Sequence, residues 1–330
     1  MKERLAALIL ITLVLTASLT IGPLKMRSAS AKTNLNASTT AVATAAAVQG
    51  VTLPKTNIYA LTSDNMIFVL APGKSVFSRV GTLPNGFGNL IGIDFRVSNN
   101  SLYGLTDTGK LLLLNPASSS LSPTLVTTLT PRFAGGFQSL LDFNPVVDAI
   151  RIIGSNDQNY AVVSANGGNL NTTAVQTSVA YATGDTNAGT NPNIVGGAYN
   201  NNFVGATNTI FYMIDYDLDT FVTIATKNAT GSSNTGGGQL QTIGSIVDAS
   251  GAPLNLNPTV DFDIFTDANR VNTLVGLNNK SIFTINLNQI NPNLQLGTTQ
   301  RVVANSLPLT AFPTVDSFID IALQPQPAAR

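Results

Sequence analysis

The sequence predicts an all-β fold: a five-bladed β-propeller of four-stranded blades, closed by pairing of the C-terminal strand with the N-terminal three. Three observations predict it. A phrase recurs at a spacing of roughly fifty residues, the range of propeller blades. Each recurrence contains four short apolar runs separated by Asn, Gly, Asp and Pro, which read as strands joined by tight turns. The chain also begins and ends on incomplete copies that complement one another.

The fullest copy is "LIGIDFRV" (90–97), "SLYGLT" (101–106), "KLLLLNP" (110–116) and "PTLVTTL" (123–129). Asp107-Thr108-Gly109 supplies a turn, with Gly free to take positive φ. The second copy is "SLLDFNPV" (139–146), "AIRIIG" (149–154), "NYAVVS" (159–164) and "TTAVQT" (172–177). The third runs "NIVGGAYN" (193–200), "TIFYMID" (209–215), "TFVTIAT" (220–226) and "LQTIGSI" (240–246). The fourth runs "TVDFDIF" (259–265), "NTLVGLN" (272–278), "SIFTINL" (281–287) and "TQRVVA" (299–304). Ahead of these, "NIYALTS" (57–63), "MIFVLAP" (66–72) and "SRVGTL" (78–83) match strands two to four; "SFIDIALQP" (317–325) matches a first strand. Joined, they make one further blade and leave the ring without an open edge.

The domain therefore spans 55–325, with 326–330 as a tail. Residues 1–31 read as a signal peptide: basic Lys2 and Arg4, an apolar stretch from Leu5 to Ile21, then Ala29 and Ala31 in A-x-A positions. Cleavage is expected after Ala31, and the alternative is an uncleaved membrane anchor. Residues 32–54, rich in Ala, Thr and Ser, read as a flexible linker. The expected localisation is secreted, periplasmic or cell surface, with no membrane span once the signal is removed.

Composition narrows the chemistry. The chain has 17 basic and 17 acidic residues; without the signal segment 13 and 16 remain, against nucleic acid as a partner. There is no His, Cys or Trp, and Glu3 is the single Glu. Ser–His and Cys–His nucleophile pairs are thereby impossible, and no disulfide holds the fold. A metal site would have to be built from oxygen.

Two sets of acids are candidates for such a site, with Ca²⁺ as the possible ion and no other cofactor expected. Asp94, Asp142, Asp261 and Asp320 occupy corresponding places on the innermost strands. They read either as acceptors that fasten blade to blade or as a ring around the channel. The third copy lacks the acid, having Ala198-Tyr199-Asn200. Asp215, Asp217 and Asp219 alternate before a turn, as in a calcium loop, but the Gly and Glu of an EF-hand are missing. Ligand contacts are expected from the long loops 184–193 and 228–239, projecting from one rim, from Asn200, Asn201 and Asn202, and from Arg96 and Tyr103 at a channel mouth. An Arg96–Asp142 pair bracing strands is the bland alternative.

"GIDFRVSNNSLYGLTDTGKLLLLNP", "LDFNPVVDAIRIIGSNDQNYAV", "IFYMIDYDLDTFV" and "VDFDIF" resemble the bacterial exported domain-of-unknown-function family 4394. The resemblance implies a propeller-like fold in secreted or surface proteins, and the family has no assigned activity or catalytic residues to carry over. The expected function is a binding or interaction module for an extracellular protein or polysaccharide. The alternatives are a Ca²⁺-dependent, lactonase-like hydrolase using channel Asp residues and a structural component of a matrix or surface layer.

Overall fold

The structure is a computed structural model that describes residues 52–164, 168–279, 281–308 and 317–326. The expected signal segment, most of the linker and residues 327–330 lie outside the described residues. Leu53, inside the expected linker, packs against the apolar cluster around Phe68 and Phe318.

Antiparallel four-stranded sheets dominate. The first combines β1 (Ile58–Thr62), β2 (Met66–Leu70) and β3 (Ser78–Thr82) with the C-terminal β21 (Phe318–Leu323) in the order β21-β1-β2-β3. The next two are β4 (Leu90–Arg96), β5 (Ser101–Thr106), β6 (Lys110–Leu114), β7 (Thr124–Thr128), and β8 (Ser139–Asn144), β9 (Ala149–Gly154), β10 (Asn159–Ser164), β11 (Leu170–Val175). After the short β12 (Ala180–Tyr181) come β13 (Ile194–Tyr199), β14 (Phe211–Asp215), β15 (Thr220–Ile224) and β16 (Gln239–Val247). The last group is β17 (Asp261–Thr266), β18 (Asn272–Asn278), β19 (Ser281–Ile285) and β20 (Val302–Pro308).

These last two groups are joined at their outer edges into one nine-stranded sheet. The join is a short parallel ladder, Ile246 with Val302 and Val247 with Val303. β12 also adds in parallel to β16, so the segment leaving the β8–β11 sheet crosses onto the outside of its neighbour.

Inner strands such as Ile58–Thr62, Ala149–Gly154 and Ile194–Tyr199 are buried at every position. Their near-continuous apolar runs follow from having a sheet against both faces. The first strands of successive sheets stand side by side in the order β21, β4, β8, β13, β17, and β17 neighbours β21 again. Between the sheets lie the apolar layers, with Phe95, Phe143 and Phe262 each 1% exposed. Gly244 marks one close approach: a Cβ there would stand 1.7 Å from the carbonyl oxygen of Gln300.

The two long loops do not share a rim. Ile194 is level with Asp215 and Thr220, whereas Tyr199 is level with Phe211, and Ile224 with Leu240. The 184–193 loop enters β13 at the first of these edges, the leading rim. The 228–239 loop joins β15 to β16 at the opposite, trailing rim. The expectation of one shared rim is corrected by antiparallel geometry, because each strand reverses the end at which the next loop emerges.

Candidate functional site

The innermost strands bring five carboxylates to the axis: Asp94, Asp142, Asp261, Asp263 and Asp320, each at most 3% exposed. Carboxyl oxygens of Asp94, Asp142 and Asp263 lie within 4.8 Å of one another. Each acid reaches from its own strand to the neighbouring one. Phe143 N donates to Asp94 Oδ2 at 2.7 Å and Tyr199 N to Asp142 Oδ1 at 2.9 Å. Ile93 N donates to Asp320 Oδ2 at 2.6 Å, which ties β21 to β4. Gly197 N and Ile321 N donate to the two oxygens of Asp261, each at 3.2 Å. Leu323 N donates to Asp263 Oδ2 at 2.5 Å. Inner strands are too far apart to share a backbone ladder, and the carboxylates bridge them instead.

Electrostatically the cluster is one-sided. Burial, and then the mutual repulsion of the acids, pushes the pKa values of Asp94 and Asp142 well above the ordinary range. Burial lifts Asp261 to about 6 and Asp263 to about 7. Asp320 is raised by burial and by Asp261, with which it shares a hydrogen bond, so the pair titrates jointly. Asp263 was not among the acids singled out by motif. Its signal was present in "DFDIF", since alternate residues of a strand share a face.

The two Arg residues of the inner sheets are occupied elsewhere. Arg96 pairs with Asp148 at 2.6 Å, not with Asp142, and also donates to the Gly168 carbonyl. The reason is positional: Arg96 ends β4 at the trailing rim, where the β8–β9 turn carries Asp148. Arg151 donates to Asn159 Oδ1 at 2.6 Å, Gln176 Oε1 at 2.8 Å and Thr235 Oγ1 at 2.7 Å, joining the β8–β11 sheet to the 228–239 loop. Tyr103 is buried, stacks edge-on with Phe143 and accepts from Asn99.

Asn200, Asn201 and Asn202 build the β13–β14 connection. Asn200 Oδ1 accepts from Ile210 N at 2.7 Å, Asn201 exchanges bonds with Asn272, and Asn202 N donates to Thr266 Oγ1 at 2.7 Å. Of the alternating acids, only Asp215 points inward. It is fully buried and accepts from the Tyr181 hydroxyl at 2.6 Å. Asp217 is exposed and bonds to Asn193, and Asp219 Oδ1 accepts from Leu256 N at 2.9 Å.

The leading rim has concave surface. A cavity of about 400 Å³ at the mouth of the inner strands is lined by Leu90, Ile91, Gln138, Ser139, Phe137 and Ile319, among others. Beside it lies a polar groove of about 460 Å³ lined by Tyr216, Asn255, Asn257, Asn278, Asn279 and Ser281. Phe137, 60% exposed, meets Tyr216 edge-on with ring centroids 6.2 Å apart. This aromatic pair spans the two hollows, and sequence reasoning missed it because Phe137 sits in a loop outside the repeat phrase.

Fold and site together define a propeller-like, all-β domain without the usual catalytic inventory. The chain belongs to the DUF4394 family, a domain of unknown function, whose family model matches residues 84–305. A comparison with curated proteins found no match. Among solved structures, the chain is similar to one in a nidogen/laminin complex: 13% identity, 82% of this chain, 98% of that chain, TM-score 0.45. It is similar to a protein of unknown function from Bacteroides thetaiotaomicron: 14% identity, 82% of this chain, 62% of that chain, TM-score 0.46. It is also similar to the β-propeller domain of Myceliophteria thermophila Cps50 (Swd1): 11% identity, 75% and 72%, TM-score 0.37. At these scores none of the three carries a functional inference. No helix among the described residues is long and apolar enough to cross a membrane.

Proposed function

We propose that the chain is an exported five-bladed β-propeller that binds a neutral polysaccharide across its leading rim. The observation that carries this reading is the Phe137–Tyr216 pair set between the mouth cavity and the Asn-lined groove. A sugar ring offers an apolar C–H face to an aromatic and a rim of hydroxyls to amides, which both donate and accept. Neither hollow is lined by Lys or Arg, and Asp107 is the single carboxylate in the two linings. A neutral, hydroxyl-rich ligand suits that chemistry better than an anionic one. Binding in loops held by a rigid scaffold also fits the general placement of recognition sites.

The hydrolase alternative rests on the Asp94, Asp142 and Asp263 triad. Those acids are enclosed and already accept backbone N–H bonds, which favours the binding reading.

Affinity electrophoresis of the mature protein against a panel of neutral polysaccharides tests this reading. Retardation by at least one polymer is expected. Phe137→Ala, at an exposed position, should weaken it about tenfold while leaving the melting temperature unchanged. No retardation by any polymer, or equal retardation of the variant, would overturn it. Export is a separate part of the proposal. Mass spectrometry of protein recovered from outside the cytoplasm should give a chain starting at Lys32, and an intact Met1 would replace cleavage with anchoring.

A further inference from the structure

We infer that a hollow of about 290 Å³ at the trailing rim binds a small carboxylate with a hydrogen-bond donor beside it, the chemistry shared by sugar acids and α-amino acids. Two connections build it, the β13–β14 loop and the β17–β18 turn. Asn201 N donates to Asn272 Oδ1 at 2.9 Å and Asn202 N to Thr266 Oγ1 at 2.7 Å, which fastens the loop to the facing ends of β17 and β18. The turn is fixed from within. Asp267 Oδ1 accepts from Asn269 N and Val271 N, each at 2.8 Å, and Arg270 N donates to the Asp267 carbonyl at 3.0 Å. The Arg270 guanidinium then lies over the Phe203 ring, 3.6 Å from its centroid. This hollow is on the rim opposite the proposed polysaccharide surface and does not rest on that reading.

Two groups in the lining lack partners. The Arg270 guanidinium makes no hydrogen bond or ion pair among the described residues. Phe203 covers one of its faces and leaves its N–H edge open, and that edge takes a carboxylate in two parallel bonds. Asn202 is the second. It is 4% exposed, lines the same hollow, and its Oδ1 is buried without a hydrogen-bond partner among the described residues. Thr266 cannot supply one, because its hydroxyl hydrogen already goes to Asn272 Oδ1 at 2.7 Å. A buried acceptor in this state calls for a donor, and the hollow is where a ligand would bring one. Arg270 and Asp267 are the charged side chains of the lining. The cation would fix the carboxylate end while the ligand's donor meets Asn202. The volume is near the lower end of small-molecule sites, roughly 300 Å³, and suits a ligand of monosaccharide or amino-acid size.

An NMR titration with galacturonate, glucuronate and a set of neutral α-amino acids, each beside its methyl ester, is the direct probe. At least one free acid is expected to bind with Kd on the order of 1 mM or below, and its ester about tenfold or more weaker. Arg270→Gln keeps a stem over Phe203 but removes the charge. At this exposed position it should weaken binding about tenfold or more and leave the melting temperature unchanged. Asn202→Ala should also weaken binding without lowering the melting temperature, because the lost carbonyl had no partner. Asp267→Asn retains the acceptor that holds the turn and separates the two sources. It should spare a sugar acid and weaken an α-amino acid, whose ammonium loses its counter-charge. No binding by any free acid, or equal binding of acid and ester, would overturn the assignment. So would binding that Arg270→Gln or Asn202→Ala leaves untouched. Phe137→Ala, on the other rim, should leave carboxylate binding intact, so either proposal can fail alone.

Discussion

In a calcium-free, chelator-containing buffer, the domain should melt higher at pH 5 than at pH 8, by on the order of 10 °C. The cause is the axial cluster. Asp94, Asp142, Asp261, Asp263 and Asp320 are acids whose folded pKa values are raised, with Asp261 at about 6 and Asp263 at about 7. Between the unfolded carboxylate pKa of about 4 and these values, the folded chain holds more protons than the unfolded one. Stability therefore falls as pH rises through that window and levels off above it. Asp148, lowered by its Arg96 partner, works in the opposite direction, but as a single, partly exposed pair. Asp263→Asn removes one titrating group and should flatten the slope between pH 5 and 8. A melting temperature that rises with pH over this range would mean that the axial acids are ionised and compensated in the folded state.

The second large effect concerns closure. A chain ending at Pro308 loses β21 and with it the sheet partner of β1, the Asp320 bond to Ile93 N, and the acceptor-bound Ile321 and Leu323 amides. β1 is buried at all positions, so its freed edge is long, apolar and unpaired. Such an edge templates pairing with other chains. The truncated protein should aggregate or lose its cooperative transition in calorimetry. A peptide of residues 317–326 supplied during refolding should restore solubility by strand addition. A soluble truncated chain with an unchanged transition would show that β21 adds nothing to the ring.

The strands and the joining of the two chain ends were legible in the sequence because local rules govern both. Short apolar runs and Gly- or Asn-marked turns are encoded within a few residues, and the end fragments fit each other by motif alone. The axial acids were legible to the extent that the Asp-Phe phrase marks them. Asp263 escaped because Asp261 had already filled the motif position. Long-range partners were not legible. Arg96 and Asp148 meet since a strand end and a neighbouring turn share a rim, a fact of sheet placement rather than of spacing. Val179 and Tyr181 tie the β9–β10 turn and Asp215 to the segment that carries β12, and nothing in "GSNDQN" indicates that crossing. Phe137 is a lone aromatic in a Gly-rich loop, distinguished only by the Tyr216 it meets.

The proposed binding rim depends on a ring closed between the first and last strands of one chain. The absence of cysteine makes this directly measurable. Ala60 and Ile321 are paired across β1 and β21, and opposed residues of antiparallel strands lie within disulfide reach. A chain carrying Ala60→Cys and Ile321→Cys should form an intramolecular disulfide on mild oxidation, seen as a faster-migrating monomer on non-reducing gels. Free thiols, or disulfide-linked dimers in place of that monomer, would contradict closure within a single chain.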